Sequence, residues 1–295
     1  MKYEKPALTI EQQFDLLESR GLLISDRLRA TRWLKHVSYY RLSAYLLPFK
    51  TGEVFKPGTT FDQIAGLYIF DRKLRLILLD GIERIEVALR TALTYELAHA
   101  HGPFGYADRR NFNPKFDHHY LMSELNQAEI DSRETFVAHF RRKYTCEKNL
   151  PIWMASELLS FGCISRLYGA CAPAIKRKIA NRFSVQDWQF ASWLHTLSYV
   201  RNVCAHHSRL WNRELAVKPS IPKPSKAWPY QVPGTERLYC VLAIVRHCLI
   251  VTTPRCQWRE RLFALLDNHP EVDLSAMRFP LQWRTIPPWA EPGIP

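Results

Sequence analysis

The stretch RNVCAHHSRLWNR, residues 201–213, brings together side chains that can bind a phosphate and move protons around it. Arg201 carries a permanent positive charge on a planar group that binds phosphate oxygens. His206, five residues later, titrates near neutral pH and can act as a base or an acid. Asn202 can orient an imidazole or donate to a phosphate oxygen. These groups suit RNA cleavage without a metal, in which the 2′-hydroxyl attacks the adjacent phosphate.

A second histidine leaves the choice of the proton-transfer group open. His207 follows Arg201 by six residues and is a possible substitute for His206. The structural alternative for the whole stretch is a solvated helix end with ordinary polar residues. Arginine and histidine at i and i+5 are a weak pattern, so the spacing alone favours this structural alternative.

The residues before the histidines predict one amphipathic helix over 188–206. At about 100° per residue, Asn202 and His206 share a face, while Arg201 is rotated by about 140° from His206 and can bend towards the same side. A neighbouring polar stripe consists of Ala191, His195, Ser198, Asn202 and His206. The predicted core stripe consists of Phe190, Trp193, Leu194, Leu197, Val200 and Cys204.

Three further residues are candidates for the site, each with a structural alternative. Glu157 is an isolated acid among apolar residues and could orient a histidine or pair with Arg201, but a cap or a structural ion pair explains it equally well. Tyr40 and Arg41 could stack on a base and bind a phosphate. For these two, packing of amphipathic aromatics at a helix junction is the favoured explanation.

The residues that follow the histidines offer further contacts for RNA. Arg209 and Arg213 supply charge and Trp211 supplies a stacking surface, with a structural role equally open for all three. Basic clusters at 141–143 and 176–178 are usually solvated surface, although we expect some of them to lie along an RNA path.

The elements that must position these residues are helices. Caps at Thr9 with Gln12, Ser25-Asp26, Thr60 with Gln63, and Ser184 with Asp187 predict helix starts. The longest periodic run begins after Thr60, and Gly81 within it predicts a kink or a break. Asp80–Arg84 and Glu86–Arg90 are spaced as surface ion pairs. No strand alternation, repeat or glycine-rich phosphate loop stands out, so the predicted fold class is all-α.

Composition limits the partners. With 41 Lys and Arg against 28 Asp and Glu, the net charge is +13, which favours nucleic acid first and an anionic membrane surface second. An apolar run of about 18 residues, the minimum for a membrane span, is missing, and the start MKYEKPALTIEQQ is no secretory signal. Seven scattered cysteines without a CxxC pair predict reduced thiols, no metal site and a cytoplasmic location. We expect no cofactor.

Several long motifs resemble the Abi family of bacterial abortive-infection proteins of the AbiD/AbiF type. They are RGLLISD at 20–26, SYYRLSAYLLPF at 38–49, the run at 55–91, PIWMASELLSFG at 151–162, and RNVCAHHSRLWNR at 201–213. Within the last, RNVCAHH resembles the R-N-x-x-x-H signature of HEPN ribonucleases. The resemblance extends over roughly residues 5 to 270.

The resemblance implies an all-helical HEPN-like bundle with metal-independent endoribonuclease activity in phage defence or toxin-like growth arrest. It implies Arg201 and His206 as the catalytic pair, Asn202 as the supporting amide, and a homodimer that brings two signatures together. His207 fits the longer spacing of some HEPN members. RNA is the expected partner, with a small-RNA or protein antitoxin as a further possibility.

Together these features predict a single all-helical domain over 1–295. Its parts are an N-terminal helical arm at 1–52, a HEPN-like core at 53–216, a basic proline-rich loop at 217–234, and C-terminal helices and tail at 235–295. The leading function is that of a ribonuclease. The alternatives are a non-catalytic RNA-binding or sensor protein of the same fold, and a HEPN subunit neutralised by a partner.

Overall fold

The structure, a computed structural model, describes residues 2, 4, 6–223, 230 and 232–290. It is 63% helical, which confirms the all-α fold class. Over the described residues the helices are α1 (Ile10–Ser19), α2 (Arg27–His36), α3 (Tyr39–Leu46), α4 (Phe61–His101), α5 (His118–Asp131), α6 (Thr135–Lys143), α7 (Ile152–Leu158), α8 (Phe161–Ala170), α9 (Pro173–Asn181), α10 (Asp187–Ala205), α11 (Leu238–Thr252) and α12 (Trp258–Asp267). The strands β1 (Lys50–Thr51) and β2 (Val54–Phe55) form a small antiparallel hairpin.

Two compact units divide the chain. The first unit comprises Met1–Leu74 and Leu265–Val272, and the second comprises Arg75–Ala264 and Asp273–Pro295. The predicted division into arm, core, loop and tail stays a prediction. Within the predicted basic loop, residues 224–229 and 231 lie outside the described residues.

The first unit has a small core built from α1 to α3 and the start of α4. Phe14, Leu42 and Tyr45 are each 2% exposed, and the Tyr45 hydroxyl donates to Asp71 Oδ2 at 2.6 Å. A buried carboxylate needs such a donor, because burial without a hydrogen bond is costly. The predicted capping boxes at Thr9 with Gln12 and at Thr60 with Gln63 are both formed.

The second unit contains most of the helical packing, and α4 supplies one of its longest buried faces. From Leu78 to Leu93 the fully buried residues recur every three or four positions, as one helix face requires. They are Leu78, Ile82, Ile85, Leu89 and Leu93.

The predicted break at Gly81 is wrong, because α4 is one continuous helix from Phe61 to His101, and the alternative of a kink stays a prediction. Gly81 instead permits a close approach: a Cβ atom there would lie 2.6 Å from Trp258 Nε1 and 2.7 Å from Val245 Cγ1. Trp258 is fully buried over this position and donates from Nε1 to the Ile77 carbonyl at 2.7 Å. The glycine therefore serves packing against α11 and α12.

The predicted cap of Ser184 with Asp187 is also wrong. Ser184 has φ 56°, and its N–H donates to the Asn181 carbonyl at the end of α9. Helix α10 begins at Asp187 after Gln186, which makes no side-chain cap. The Asp187 carboxylate accepts from the next N–H, that of Trp188, at 2.9 Å. Ser184 thus ends one helix and does not start the next.

Candidate functional site

Helix α10 presents the candidate residues from a rigidly packed base. The core stripe predicted for it is confirmed, because each of its six residues is at most 1% exposed. On the polar side, Asn202 is exposed and Arg201 is half-buried, and Arg201 Nη1 donates to Asn202 Oδ1 at 3.2 Å. The arginine and the amide therefore form a hydrogen-bonded pair on the solvent-facing side of α10.

The end of α10 separates the two histidines. His206 is the C-cap residue, with φ −84° and ψ 12°, and its N–H donates to the Asn202 carbonyl. The next N–H, from His207, donates to the Cys204 carbonyl at 3.1 Å, and that of Ser208 donates to the Val203 carbonyl at 3.0 Å. This pair of bonds is the Schellman ending of a helix, which needs a left-handed residue after the cap.

The left-handed residue is His207, with φ 56°, at a position that glycine usually occupies. The backbone reverses there, so His207 leaves the helical register. His206 still follows that register, in which it lies about 40° around the helix from Asn202. Both histidines are exposed. The sequence could not choose between the two histidines, whereas the backbone keeps His206 in the helical register and places His207 outside it.

A buried arginine on α4 anchors the turn that carries the histidines. Arg75 is 4% exposed and its Nη1 donates to the Ser208 carbonyl at 3.3 Å. A buried charge is retained only when such acceptors surround it. Arg75 is a positioning residue for the candidate site, and its sequence context gave no sign of this contact across more than a hundred residues.

The segment after the turn is held by its own side chains. Trp211 is 3% exposed and donates from Nε1 to the Asp273 carbonyl at 3.2 Å. Its ring has no free face for a base, so a stacking role for Trp211 is incompatible with this packing. Arg213 donates from Nε to Tyr199 Oη at 3.1 Å and from Nη1 to the Arg209 carbonyl at 3.1 Å. Both residues therefore brace the segment, and Arg209 remains half-buried beside it.

Arg201 lines a cleft of about 360 Å³ whose other wall belongs to α4. That wall consists of Leu79, Asp80, Glu83 and Glu86. Arginines partner Asp80 and Glu86 within the predicted i, i+4 pairs, at 3.3 Å and 2.9 Å, which confirms those pairs. Asp80 also pairs with Arg261. Glu83 is exposed and forms no ion pair with any described residue, which makes it the uncommitted carboxylate of the cleft.

Glu157 has a structural partner. Arg90 Nη1 lies 3.4 Å from Glu157 Oε2, and Arg90 Nη2 donates to Glu86 and to the Leu159 carbonyl. Glu157 does not line the Arg201 cleft; it is linked to it only through Arg90 and Glu86. The expected pairing of Glu157 with Arg201 is therefore replaced by a structural ion pair, the alternative that the sequence left open.

Tyr40 and Arg41 lie in the first unit, at the start of α3. Tyr40 is 87% exposed and borders a groove of about 960 Å³, whose lining includes Tyr39, Arg20 and Lys50. Burial, followed by the nearby charge of Arg20, lowers the pKa of the Lys50 ammonium. Arg41 is exposed. Unlike Trp211, the Tyr40 ring is accessible to a base.

The comparisons with known proteins give the family. The family model described as "Abi-like protein" matches residues 32–212, which is more than half of the chain and ends just after the turn that carries the histidines. The chain belongs to the Abi-like protein family. No curated protein and no solved structure matches it.

Three more properties of this Abi-like protein concern metal ligands, membrane spans and cysteines. Among the described residues, no group of three or more His, Cys, Asp or Glu side chains is arranged to hold a metal ion. In the same part of the chain, every helix is too short or too polar to cross a membrane. The seven cysteines are free thiols, and five of them are buried.

The sequence also missed Glu83. A signal existed, because Asp80, Glu83 and Glu86 recur at three-residue steps on one side of α4. Periodicity assigns such a stripe to solvent, and it cannot tell that an arginine from another helix shares the same cleft.

Proposed function

We propose that this Abi-like protein is a metal-independent endoribonuclease whose catalytic group is formed by Arg201, Asn202 and His206. The observation that supports it best is the end of α10, where an arginine–asparagine pair and a histidine at the C-cap share one exposed, firmly anchored turn. Family membership points to abortive-infection defence against phage and is compatible with a nuclease role.

The reaction divides into tasks that these groups can perform. A base removes the proton of the 2′-hydroxyl, whose oxygen then bonds to the adjacent phosphorus. The bond from phosphorus to the 5′-oxygen breaks, and an acid gives that oxygen a proton. Arg201 neutralises the extra negative charge on the crowded phosphate, and His206 serves as one of the two proton-transfer groups. The products carry a 2′,3′-cyclic phosphate and a 5′-hydroxyl.

The second proton-transfer group comes from a second copy of the chain. Within one chain, His207 has a left-handed backbone and leaves the helical register of Asn202, and Glu157 is engaged by Arg90. A two-fold axis past Asn202 and His206 would set a second His206 opposite the first, and isologous contacts are the commonest way in which chains self-associate. Glu83 is the alternative within one chain, because it shares the Arg201 cleft.

RNA contacts outside the catalytic group come from one half-buried and two exposed residues. Arg209 borders the turn, and in the first unit Tyr40 and Arg41 offer a stacking ring and a charge beside the groove with Arg20. The net charge of +13 supports a polyanionic partner. An antitoxin, either a small RNA or a protein, would restrain such an activity in the uninfected cell.

The decisive experiment is cleavage of labelled RNA with EDTA present, followed by analysis of the product ends. We expect 2′,3′-cyclic phosphate and 5′-hydroxyl ends, and a loss of about 100-fold or more in Arg201→Ala and in His206→Ala. Arg133→Ala and His119→Ala are matched controls, because Arg133 is exposed between α5 and α6, His119 is exposed on α5, and both lie outside the site. We expect both controls to cleave normally.

Opposite outcomes are equally clear. Products with 5′-phosphate ends, or activity that EDTA abolishes and Mg²⁺ restores, would refute the mechanism. RNA that is bound in a steeply salt-dependent manner but never cleaved would favour the non-catalytic RNA-binding alternative.

The dimer is tested by subunit mixing. When inactive His206→Ala chains are added in excess and allowed to exchange, a composite site predicts activity that falls with the fraction of wild-type homodimers. A monomer predicts no effect of the inactive chain and a mass near 34.6 kDa in light scattering, instead of about twice that value.

A further inference from the structure

A pocket in the second unit lies outside the Arg201 cleft and has the features of a ligand site. It encloses about 480 Å³ between the segment before α5, the start of α5 and one side of α8. This volume falls in the range of about 300–1,000 Å³ that small-molecule sites occupy. The residues that give it chemical character are Lys115, Phe116, Asp117, Tyr120, Cys163 and Arg166.

The pocket contains two cations without an ion pair among the described residues; Asp117 also lines it, and Glu124 Oε2 lies 3.9 Å from Cys163 Sγ. Arg166 is exposed on α8, and neither it nor Lys115 forms an ion pair with any described residue. The Arg166 guanidinium lies 4.5 Å from the centre of the Tyr120 ring, and its Nη2 is 3.3 Å from Cys163 Sγ. Stacking fixes the guanidinium while leaving most of its five N–H groups for an anion. A planar, oriented guanidinium of this kind suits a phosphate.

The segment that carries Lys115 and Phe116 is fastened in place. The Asn113 N–H donates to the Ala170 carbonyl at the end of α8, at 2.9 Å, and the Lys115 N–H donates to Asn113 Oδ1 at 2.9 Å. Arg109 donates to the Asn113 and Pro114 carbonyls on the outer side. The pocket is therefore formed before a ligand arrives, which lowers the entropy that binding costs.

The remaining lining matches an aromatic ring with hydroxyl groups. Phe116 is half-buried and offers an apolar ring surface, against which a flat heterocycle can stack. Asp117 caps α5 through Oδ1, which accepts the Tyr120 N–H at 2.9 Å, and this leaves Oδ2 as an acceptor for a hydroxyl. The cations therefore fit a phosphate, the Phe116 ring fits a base, and the Asp117 acceptor fits a ribose hydroxyl.

From this combination we infer that the pocket binds a nucleoside monophosphate group, with the phosphate on Arg166 and Lys115 and the base on Phe116. Such a group can arrive as a free nucleotide or as one unit of an RNA chain. The inference concerns binding alone and holds whether or not the Arg201 site cleaves RNA.

Gly169 provides a sharp test, because it lines the pocket and a Cβ atom there would meet no heavy atom within 4 Å. Gly169→Ala adds one methyl group and should keep binding, whereas Gly169→Leu adds a four-carbon side chain that should obstruct part of the pocket. Both changes replace a helical glycine of α8, so neither should lower the melting temperature. Arg166→Gln removes the phosphate contact, and Arg133→Gln is the matched control, because Arg133 is exposed between α5 and α6 and does not line the pocket.

The probes are adenosine 5′-monophosphate and a 2′-O-methyl tetra-adenylate that cannot be cleaved, titrated by calorimetry into the full chain. We expect Arg166→Gln and Gly169→Leu each to weaken binding by at least about tenfold, while Gly169→Ala and Arg133→Gln stay within about twofold of wild type.

The two probes separate the possible sources of the ligand. An effect on the mononucleotide indicates a free nucleotide, and an effect on the tetranucleotide alone indicates an RNA unit. If both probes bind equally well to wild type, Arg166→Gln and Gly169→Leu, or if neither probe binds wild type at millimolar concentration, the inference is overturned. If His206→Ala loses RNA cleavage but binds both probes as wild type does, the result concerns only the proposed ribonuclease and does not affect the inference about this pocket.

Discussion

Replacing His207 by glycine separates the backbone role of this residue from any chemical role. His207 has φ 56° at the end of α10, where its N–H and that of Ser208 close the Schellman turn. A left-handed conformation costs an L-residue roughly 1–2 kcal/mol. Glycine avoids that cost but loses about 0.5–1 kcal/mol more chain entropy on folding. For the backbone contribution alone, the difference predicts a gain of about 0.5–1 kcal/mol for His207→Gly.

Thermal unfolding and RNA cleavage measured on the same variant provide the assay. For a chain of 295 residues the expected gain corresponds to a rise in melting temperature of about 1–3 °C. Ser184→Gly is the matched control, because Ser184 has the same φ of 56°, is exposed and lies at the end of α9, outside the site. We expect a similar rise there.

Cleavage should stay within about threefold of wild type in His207→Gly, because the proposed mechanism uses His206, for whose removal the expected loss is about 100-fold. A lower melting temperature in His207→Gly, with the expected rise in Ser184→Gly, would refute the backbone argument. A more stable but inactive His207→Gly variant would show that His207 is the catalytic histidine and that the assignment within the pair is wrong.

Three further changes test the surroundings of the site. Glu83→Gln should tighten RNA binding a few-fold, since a carboxylate beside Arg201 repels phosphate, and should leave the cleavage rate within about threefold of wild type. A loss of about 100-fold in the cleavage rate would instead make Glu83 the base and remove the need for a second chain. Trp211→Phe should lower the free energy of unfolding by about 1–3 kcal/mol in denaturant titrations, because the Asp273 carbonyl loses its donor. The same variant should leave RNA affinity unchanged. Weaker RNA binding with unchanged stability would contradict the structural role of Trp211. Burial lowers the pKa of His247 below its ordinary value of 6.5, so the unfolded chain binds the proton more readily than the folded chain. This residue should therefore reduce the free energy of unfolding as the pH falls below about 6.5, by at most about 1.4 kcal/mol per pH unit. Unfolding of His247→Gln should lack this part of the pH dependence, and an identical slope in the variant would refute the assignment.

The sequence by itself determined the helices, their buried faces and the family. Caps such as Thr9 with Gln12 depend on neighbours three residues away, and the core stripe of α10 follows from the period of one helix. The same local rules gave the Glu86–Arg90 pair. The motifs that carry the family resemblance are also contiguous in the chain, so they could be found before any contact was known.

Only the tertiary structure decided which surfaces face one another. From the sequence, Glu157 could pair with Arg201 or form a structural ion pair elsewhere. In the structure it pairs with Arg90, 67 residues away in the chain. Gly81 looked like a helix breaker until Trp258 was found packed against it. Trp211 looked like a ring for RNA until its burial against the Asp273 segment was known. Periodicity fixes the direction in which a side chain leaves its own helix, whereas its partner depends on how distant segments pack, and local sequence contains no record of that.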